Sequence, residues 1–503
     1  MNRSPLWTSE EIAKATGGQW LVAPPTDWQP KCVSYDVTGN MADHFCVLVH
    51  PNSWGKGRRD PTGDISRLAR EGAAGIMVEP SHLQTLQSRK ETLPPGLPVL
   101  LVHSTWSGLQ YMAQIARMRF AGKVFAVTGT VGKTTTREMI RHMTDLQGGA
   151  TGSAANNNNI SGVHRSLAYM PRENAAGVIE MGFGKPLDGI ARSSRIAQPD
   201  IAVLTTIDVA HFDMFTPEML EKASGRELLL RHKSGIFTGL VPGGAAVINA
   251  DLPEYQLARA LAERQTPHVF GFGEAEGADA RLERAELTLG GSQAHVSVLG
   301  HRFLLKLQVP GHHMIINALG ALLAVGLAGF DLDRAVSDMA DFAPVKGRAR
   351  VVTAKLREGG EVTIIDDSFN ATIASMRSSL QLLRLAEPRA NGRRIAVLGE
   401  IGHVGATEAE EHRALSKAVL ESGADLVFSW GLLMRPMFEA LPAGIRGAHQ
   451  DDSVEVLYAQ LRTTLRDGDV LTVKSGRGVN GLGDIRFRKF VEHLVAGKDA
   501  LLL

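Results

Sequence analysis

Cysteines, aromatic residues and an excess of either charge are all scarce in this sequence. Its 503 residues include only two cysteines, and Phe, Trp and Tyr together make up 6%. Two cysteines cannot form the disulfide framework of a small secreted scaffold, so we expect a reducing, cytoplasmic compartment. Lys and Arg number 54 against 53 Asp and Glu, a net charge of +1. We therefore expect no attraction to nucleic acid or to an anionic membrane.

Long hydrophobic runs are also missing. The longest apolar stretch, Ala318 to Phe330, contains three glycines and is shorter than the ~18 residues of a membrane span. It predicts a buried helix. The first residues, MNRSPLWTSEEIAKA, lack the apolar core of a secretory signal, and we expect none.

Short Val- and Ile-rich runs, many followed by glycine, alternate with longer segments of helical periodicity. This alternation is typical of parallel sheets with crossover helices, so we expect an α/β protein. At roughly 150 residues per domain the length predicts three domains. We place them at residues 1–120, 121–345 and 346–503.

Several elements have clear limits in the sequence. A helix is predicted at Thr105 to Arg119, and Thr407 with Glu410 has the spacing of a capping box that starts another helix. The predicted strands are residues 45–50, 98–102, 124–127, 362–366, 394–398, 425–429 and 470–474.

The strand at 124–127 is followed directly by TGTVGKTTT, residues 128–136, and then by a segment that is compatible with a helix. Strand, glycine turn, Gly-Lys-Thr and helix together predict a polyphosphate site. Gly129 and Gly132 let backbone N–H groups point at the anion, and the helix adds its positive end.

Two side chains of this loop have predicted contacts of their own. Lys133 is placed to reach the β- and γ-phosphates, and the Thr134 hydroxyl to ligate Mg²⁺. The loop departs from the full Walker pattern because Val127 stands where that pattern has glycine. A chance glycine turn is the alternative.

The shortened loop resembles the nucleotide loop of the Mur ligase superfamily, ATP-dependent enzymes that form amide bonds. The resemblance implies a central ATPase domain between an N-terminal substrate domain of the UDP-sugar type and a C-terminal Rossmann-like ligase domain. It implies these ATP-binding residues in the loop: Gly129, Thr130, Gly132, Lys133, Thr134 and Thr135.

Two further residues match the metal site of the superfamily. Glu180 ends the strand VIE, and His211 follows the next strand in TTIDVAHFDMF. Both would lie at the carboxyl ends of parallel strands, where open α/β sheets bind ligands. The resemblance implies Mg²⁺ ligation by Thr134, Glu180 and His211, with Lys133, Glu180 and His211 as the catalytic set. A lone Glu or His at the surface is the alternative.

The resemblance continues toward the nucleotide base. PGHHMIINALGA, starting at Pro310, matches the family pattern at His313 and Asn317, although Met314 replaces an asparagine. A helix-cap role for Asn317 is the alternative. The resemblance also implies that Arg348 meets phosphate and that Asp367 accepts ribose hydroxyls.

The C-terminal motifs are most like those of the MurF type. They are the turn IIDDSFNA at 364–371, VLGEIGHVG followed by His412, and VKSGR at 473–477. The resemblance implies these substrate-binding residues: Asn157, Asn158, Ser368, Asn370 and Lys474.

The sequence departs from the family in two places. The lysine that forms a carbamate falls two residues before a glutamate in the MurF type, and counting back from Glu227 gives Gly225. Lys222 lies nearby, but Glu221 beside it favours an ordinary solvated lysine. In the N-terminal domain, DVT at 36–38 and TGDI at 62–65 lack the arginine and histidine that grip a UDP-sugar.

These features predict an ATP- and Mg²⁺-dependent ligase that joins an amino acid or dipeptide amine to a carboxylate through an acyl-phosphate. We expect small-molecule substrates and a monomer. One alternative is the peptidoglycan MurF-type reaction itself. Another is a catalytically weakened relative that binds nucleotide as a scaffold.

Overall fold

The computed structural model describes residues 5–49, 60–153, 157–184, 186–343, 345–357, 359–389, 391–402, 404–405, 407–476 and 483–497. Within these residues the chain forms three separate sheets, each with helices packed against it. The predicted α/β class is therefore confirmed. None of the helices in the described ranges has the length and apolar character of a bilayer span.

The N-terminal sheet has the strand order β1-β5-β4-β3-β2, and only β1 runs antiparallel to its neighbour. Its strands are β1 Gln19–Val22, β2 Cys32–Ser34, β3 His44–Val47, β4 Gly75–Val78 and β5 Val99–Leu101. The helices are α1 Ser9–Thr16, α2 Ile65–Arg70, α3 Pro80–Ser88 and α4 Thr105–Arg119.

The central sheet has nine strands in the order β14-β13-β12-β11-β10-β9-β6-β8-β7. They are β6 Lys123–Thr128, β7 Ala150–Gly152, β8 Ala176–Glu180, β9 Ile201–Leu204, β10 Ala245–Asn249, β11 Val269–Gly273, β12 Ala280–Thr288, β13 Gly291–Val298 and β14 His301–Leu307. The strands from β6 to β12 pair in parallel, whereas β13 and β14 extend the sheet as an antiparallel edge.

The helices of this central region surround a buried core. They are α5 Lys133–Asp145, α6 Ile160–Ala168, α7 Gly189–Ala197, α8 Pro217–Lys222, α9 Gly225–Lys233, α10 Tyr255–Glu263, α11 His312–Leu327 and α12 Leu332–Asp338. The apolar run that predicted a buried helix lies largely within α11, which packs against the sheet.

The C-terminal sheet has the order β15-β16-β20-β17-β18-β19, and β15 alone is antiparallel to its neighbour. Its strands are β15 Arg350–Lys355, β16 Glu361–Asp366, β17 Arg394–Gly399, β18 Leu426–Trp430, β19 Arg446–Gln450 and β20 Val470–Lys474. The helices are α13 Ile373–Arg384, α14 Glu408–Glu421, α15 Arg435–Glu439, α16 Val454–Thr464 and α17 Gly483–Val495.

Helix α4 joins the N-terminal sheet to the central one and packs against α6. The indole of Trp7 donates a 2.7 Å hydrogen bond to the carbonyl of Ala168, and Arg165 Nε donates to the carbonyl of Val33 at 2.9 Å. These buried contacts fix the N-terminal sheet beside the central helices. The three sheets lie within the three predicted ranges, whose boundaries stay predictions.

Candidate active site

The phosphate loop lies between the end of β6 and the start of α5. Gly132 has a positive φ of 85°, a conformation that costs glycine little. A Cβ at Gly132 would lie 2.4 Å from Asn317 Oδ1, so a larger residue here would displace the Asn317 side chain. The N–H of Thr130 donates to the carbonyl of Thr206 at 2.7 Å, and the N–H of Val131 donates to Thr206 Oγ1 at 2.8 Å. The segment after β9 thus holds the loop in shape.

Lys133 begins α5 and is half-buried. Its Nζ donates to the carbonyl of Thr130 at 2.9 Å. Burial lowers the pKa of Lys133, the carboxylate of Glu180 opposes that shift, and the Arg348 guanidinium adds to it. The ammonium therefore stands where positive charge is already concentrated, which suits a polyphosphate ligand.

Glu180 ends β8 and is 1% exposed. The Thr134 hydroxyl donates to its Oε2 at 2.8 Å, and Asn158 Nδ2 donates to its Oε1 at 2.8 Å. Arg137 Nη1 lies 3.2 Å from Oε2 in a buried ion pair. The structure thus brings together Thr134, Glu180 and Asn158 from the predicted site, and it adds Arg137.

His211 is placed in the same region by the segment after β9. It has a φ of 62°, directly before the 3-10 turn Phe212–Met214. Its ring centroid lies 5.9 Å from that of Phe183. No group of three or more His, Cys, Asp or Glu residues suited to a metal occurs among the described residues.

Sequence reasoning missed Lys233, the last residue of α9. It is 1% exposed, and its Nζ donates to the carbonyl of Gly129 at 2.7 Å. The same Nζ lies 5.5 Å from the centroid of the Phe183 ring, which also contacts His211. Lys222, in contrast, is exposed at the end of α8.

Burial holds the pKa of Lys233 well below its ordinary value, nearby Lys133 adds to the shift, and Glu180 opposes it. A buried lysine with a lowered pKa is more often neutral, and a neutral amine is a nucleophile. Lys233 ends a helix in which Leu228, Leu229 and Leu230 are also buried, and this burial is visible only in the folded chain.

The C-terminal region contributes Arg348 to the same place. Its Nη2 donates to Thr134 Oγ1 at 3.0 Å, and its buried Nε has no hydrogen-bond partner among the residues that the structure describes. The guanidinium carbon lies 4.5 Å from the centroid of the Phe369 ring. Burial lowers the pKa of Arg348, and the carboxylates of Glu180 and Asp367 oppose that shift. The buried Nε–H is a donor available to an anionic ligand.

Asp367 is fixed by a buried lysine of β20. Lys474 is 2% exposed and its Nζ lies 2.6 Å from Asp367 Oδ2. It also donates to the carbonyl of Asn370 at 3.0 Å, while the N–H of Ala349 donates to Asp367 Oδ1 at 3.2 Å. Lys474 thus holds the turn that carries Asp367 and Asn370. Ser368 is fully buried, and its hydroxyl donates to Asp366 Oδ1 at 2.6 Å.

The start of α11 adds the predicted base-side residues. Burial lowers the pKa of His313 to about 4, and Asp367 opposes that shift, so the imidazole is neutral near pH 7. Asn317 lies inside α11, not at its end, and faces Gly132. The structure therefore excludes the helix-cap alternative for Asn317.

The cationic side chains at this site outnumber the carboxylates closest to them. The Glu180 carboxylate is bonded or electrostatically coupled to all of them. They are Lys133, Arg137, Lys233 and Arg348. Buried excess positive charge is costly unless an anion compensates it, so the residues fit a bound polyphosphate. A hydroxyl and a carboxylate in contact are also the oxygen donors that Mg²⁺ prefers.

The altered N-terminal motifs form local turns. Asp36 Oδ1 accepts from the N–H and the hydroxyl of Thr38 at 3.2 and 2.9 Å. Thr62 is 1% exposed and bonds to Asp60. These side chains are engaged with their own backbone.

The remaining MurF-type motif residue has a structural contact. His412 is fully buried, accepts from the N–H of Ile401 at 3.0 Å and donates to the carbonyl of Glu408 at 2.6 Å. It therefore fixes the loop after β17. Arg477 of the predicted VKSGR motif lies outside the described residues.

Two protein-family descriptions match this chain. The Mur ligase middle domain matches residues 127–325, and the Mur ligase glutamate ligase domain matches residues 347–477. A UDP-N-acetylmuramoyl-tripeptide–D-alanyl-D-alanine ligase of Synechocystis sp. is 30% identical over 404 residues, which cover 78% of this chain and 80% of the relative. The enzyme of that name from Escherichia coli is 27% identical over 419 residues, 83% of this chain and 85% of the relative.

Solved structures give the same fold. A crystal structure of MurF from Acinetobacter baumannii superposes with a TM-score of 0.76 at 22% identity and covers 99% of this chain and 100% of that chain. The structure of MurF ligase from Thermotoga maritima in complex with ADP superposes with a TM-score of 0.69 at 24% identity. It covers 93% of this chain and 99% of that chain. At these identities the likeness establishes the three-sheet architecture.

Proposed function

The chain belongs to the Mur ligase family and is an ATP-dependent amide-forming ligase, and on that premise we propose its two substrates. They are the amine of D-alanyl-D-alanine and the free carboxylate of a UDP-N-acetylmuramoyl tripeptide. The names of the relatives support this pair, because one of them is 30% identical over most of both chains. One structural observation supports the chemistry most directly, which is the convergence of Lys133, Lys233 and Arg348 on Thr134 and Glu180.

In this proposal ATP supplies the phosphoryl group that activates the carboxylate, and the amine then displaces phosphate. Lys133 and the backbone N–H groups at the start of α5 hold the phosphates, and Arg348 neutralises charge that develops on the transferred group. Asp367, held by Lys474, accepts the ribose hydroxyls. These residues act by positioning and charge, so no side chain needs to form a bond to the acyl substrate.

Thr134 and Glu180 would hold Mg²⁺, with phosphate and water oxygens as its other ligands. His211 and Lys233 both lie close to the Phe183 ring, and His211 would act on the metal as a direct or outer ligand. A bound Mg²⁺ would reduce the repulsion between the polyphosphate and the incoming carboxylate.

We also propose that Lys233 has the role of the carbamate lysine, whose place sequence reasoning put at Gly225. The neutral amine of Lys233 would add to CO₂ and lose a proton, leaving a carbamate anion. Its buried position beside Gly129 and Glu180 supports this, because the reaction needs an unprotonated amine. The oxygen atoms of the carbamate would be further ligands for Mg²⁺ near Glu180.

A divergent acyl substrate is the second candidate. It is favoured by the N-terminal turns, since Asp36 and Thr62 bond locally and no arginine or histidine stands in those two motifs. In that case the reaction class is unchanged and the carboxylate is carried by a different group. We expect a monomer that acts in the cytoplasm in either case.

The test is phosphate release and product mass with ATP, Mg²⁺, D-alanyl-D-alanine and the UDP-linked tripeptide. We expect phosphate only when amine and carboxylate are both present, with a product whose mass is the sum of both less water. Phosphate release with the dipeptide and another carboxylate, but not with the UDP-linked tripeptide, would establish the second candidate. Nucleotide binding with no turnover on any pair would favour the scaffold alternative.

A further inference from the structure

Asp208 joins the phosphate loop to the C-terminal sheet region. It lies in the segment after β9, and its backbone N–H donates to Thr130 Oγ1 at 3.1 Å. Its side-chain Oδ2 accepts from the N–H of Ala374 at 3.0 Å. Ala374 is in the first turn of α13, more than 160 residues away in the chain. One residue thus touches both sides of the nucleotide site.

The contact fills a vacant position at the start of α13. Thr372 is the N-cap residue, and its hydroxyl accepts from the N–H of Ser375 at 3.3 Å. The N–H of Ala374 has no partner within its own helix, since the first N–H groups of a helix never do. A carboxylate at this end also interacts favourably with the helix dipole. Asp208 therefore completes the cap of a helix that belongs to another region.

Arg226 orients the second oxygen of Asp208. Its Nη1 lies 3.6 Å from Asp208 Oδ1. The same guanidinium is held by Glu254 in a two-point contact of 2.6 and 3.0 Å. The Asp208 side chain is 17% exposed, so its contacts are only partly screened by water.

The position of α13 matters for the site because the helix follows the turn that carries Asp367 and Asn370. A second contact between the same two regions is the hydrogen bond from Arg348 to Thr134. Arg348 faces the proposed phosphate ligand and would be drawn toward it when nucleotide binds. The bond between Ala374 and Asp208 uses neither the Lys133 nor the Arg348 side chain, so a phosphate ligand bound by those two need not break it.

We propose that Asp208 is a positioning residue that latches the C-terminal region onto the phosphate loop and favours the closed arrangement. This inference rests on the proposed function in one part only, the expected change in kcat/KM for ATP. The contact between Asp208 and Ala374 is made by this chain's own residues. Its loss would leave Asp367 and Arg348 correctly folded but further from the loop.

The experiment compares small-angle X-ray scattering and steady-state kinetics of the full chain in three variants. Asp208→Ala removes the latch, and Asp208→Asn keeps an oxygen acceptor without the charge. Asp331→Ala is the matched control. Asp331 Oδ1 accepts a hydrogen bond from the backbone N–H of Arg334 at 3.0 Å, and this cap of α12 lies wholly within the central region. Helix caps of this kind have similar stability effects.

We expect Asp208→Ala to enlarge the ligand-free radius of gyration and to lower kcat/KM for ATP about tenfold, the typical effect of losing a charged hydrogen bond. Asp208→Asn should recover part of both, and Asp331→Ala should change neither. A ligand-free scattering curve of Asp208→Ala identical to wild type would overturn the latch, as would equal expansion in Asp331→Ala. Because scattering needs no substrate, this result is independent of whether the proposed ligase substrates prove correct.

Discussion

At the scale of single residues, the site is organised by charge. The Glu180 carboxylate is nearly inaccessible to water and has contacts with a hydroxyl, an amide and a guanidinium. Lysine and arginine side chains around it lower one another's pKa values. Excess buried positive charge is costly unless an anion compensates it, so a bound polyphosphate would stabilise this arrangement.

Lys133→Ala should reduce ADP formation at least about a hundredfold, because the ammonium is placed on the transferring phosphate and such donors have effects of this size. Turnover under saturating ATP is the measurement, with the melting temperature to confirm an intact fold. Lys123→Ala, at an exposed strand start, is the control and should behave as wild type. Near-normal turnover of Lys133→Ala would contradict the assignment of residues 128–136 as the phosphate loop.

Lys233 and Lys222 form a matched pair of variants. Lys233→Ala should lose most activity, and the wild type should be stimulated by bicarbonate, because the buried amine can be carbamylated. Lys222→Ala should keep most activity, because this lysine is exposed. The measurement is turnover with and without bicarbonate, together with incorporation of isotope-labelled CO₂. Label found in Lys233→Ala but lost in Lys222→Ala would reverse the assignment.

Glu180→Gln should raise the Mg²⁺ concentration needed for half-maximal activity by about tenfold or more, because the variant removes a charged ligand. His211→Ala should have a smaller effect, since His211 packs against Phe183 and Glu180 bonds directly to Thr134. A magnesium titration of phosphate release separates the two. The same half-saturation in Glu180→Gln and wild type would mean that the metal lies elsewhere.

At the scale of helices and strands, the sequence predicts most of the parallel framework. The helix at Thr105 to Arg119 and the strand at Val470 to Lys474 have the predicted limits. Both have strong local signals, a serine cap in one and a buried apolar run in the other. Helix α14 begins where predicted, but the side chain of Thr407 makes no capping hydrogen bond in the described structure.

The antiparallel edge β12–β14 was beyond sequence reasoning. Its strands alternate buried and exposed residues, whereas the predicted strands are continuous apolar runs, which are typical of buried parallel strands. Lys233 and Asp208 were missed for a related reason. Their roles depend on what folds against them, Phe183 and Gly129 for one and α13 for the other, and no spacing in the chain encodes those contacts.

The packing of α4 on α6 predicts a specific acid sensitivity. His164 of α6 is 1% exposed, and its ring centroid lies 5.4 Å from that of Trp106. Within the described part of the chain, neither of its buried ring nitrogens has a hydrogen-bond partner. Burial lowers its pKa to about 4 from an ordinary value of 6.5. Because the pKa of His164 is lower in the folded chain than in the unfolded chain, its contribution to the free energy of unfolding is complete above pH 6.5 and is lost as the pH falls toward 4.

The wild type should therefore lose on the order of 3 kcal/mol of its free energy of unfolding between pH 6.5 and 4, and His164→Leu should not show this loss. The measurement is the free energy of unfolding in denaturant at several pH values, for the variant and the wild type. His295→Leu, at an exposed position of β13, should keep the wild-type pH dependence. Parallel curves for His164→Leu and wild type would show that His164 is not buried neutral.

At the scale of the whole molecule, the proposed function gives the three regions different parts of one reaction. The central sheet carries the phosphate loop, Arg348 of the C-terminal region donates a hydrogen bond to Thr134 of that loop, and Trp7 and Arg165 join the N-terminal sheet to the central region. Nucleotide alone should thus order the interface between the central and C-terminal regions. The N-terminal sheet should respond only to the acyl substrate.

Hydrogen exchange of the full chain tests this division. ADP at about 100 times its Kd should stabilise the closed form by about 2.7 kcal/mol and slow exchange at the start of α5 and in the turn at 366–371. The strands β2 to β4 should be unchanged by ADP and become protected when the UDP-linked tripeptide is added. In Lys133→Ala the protection by ADP should weaken, whereas the protection of β2 to β4 by the UDP-linked tripeptide should persist. Protection of β2 to β4 by ADP alone would instead mean that the N-terminal sheet takes part in nucleotide binding, because only a direct contact or a coupled closure could slow its exchange.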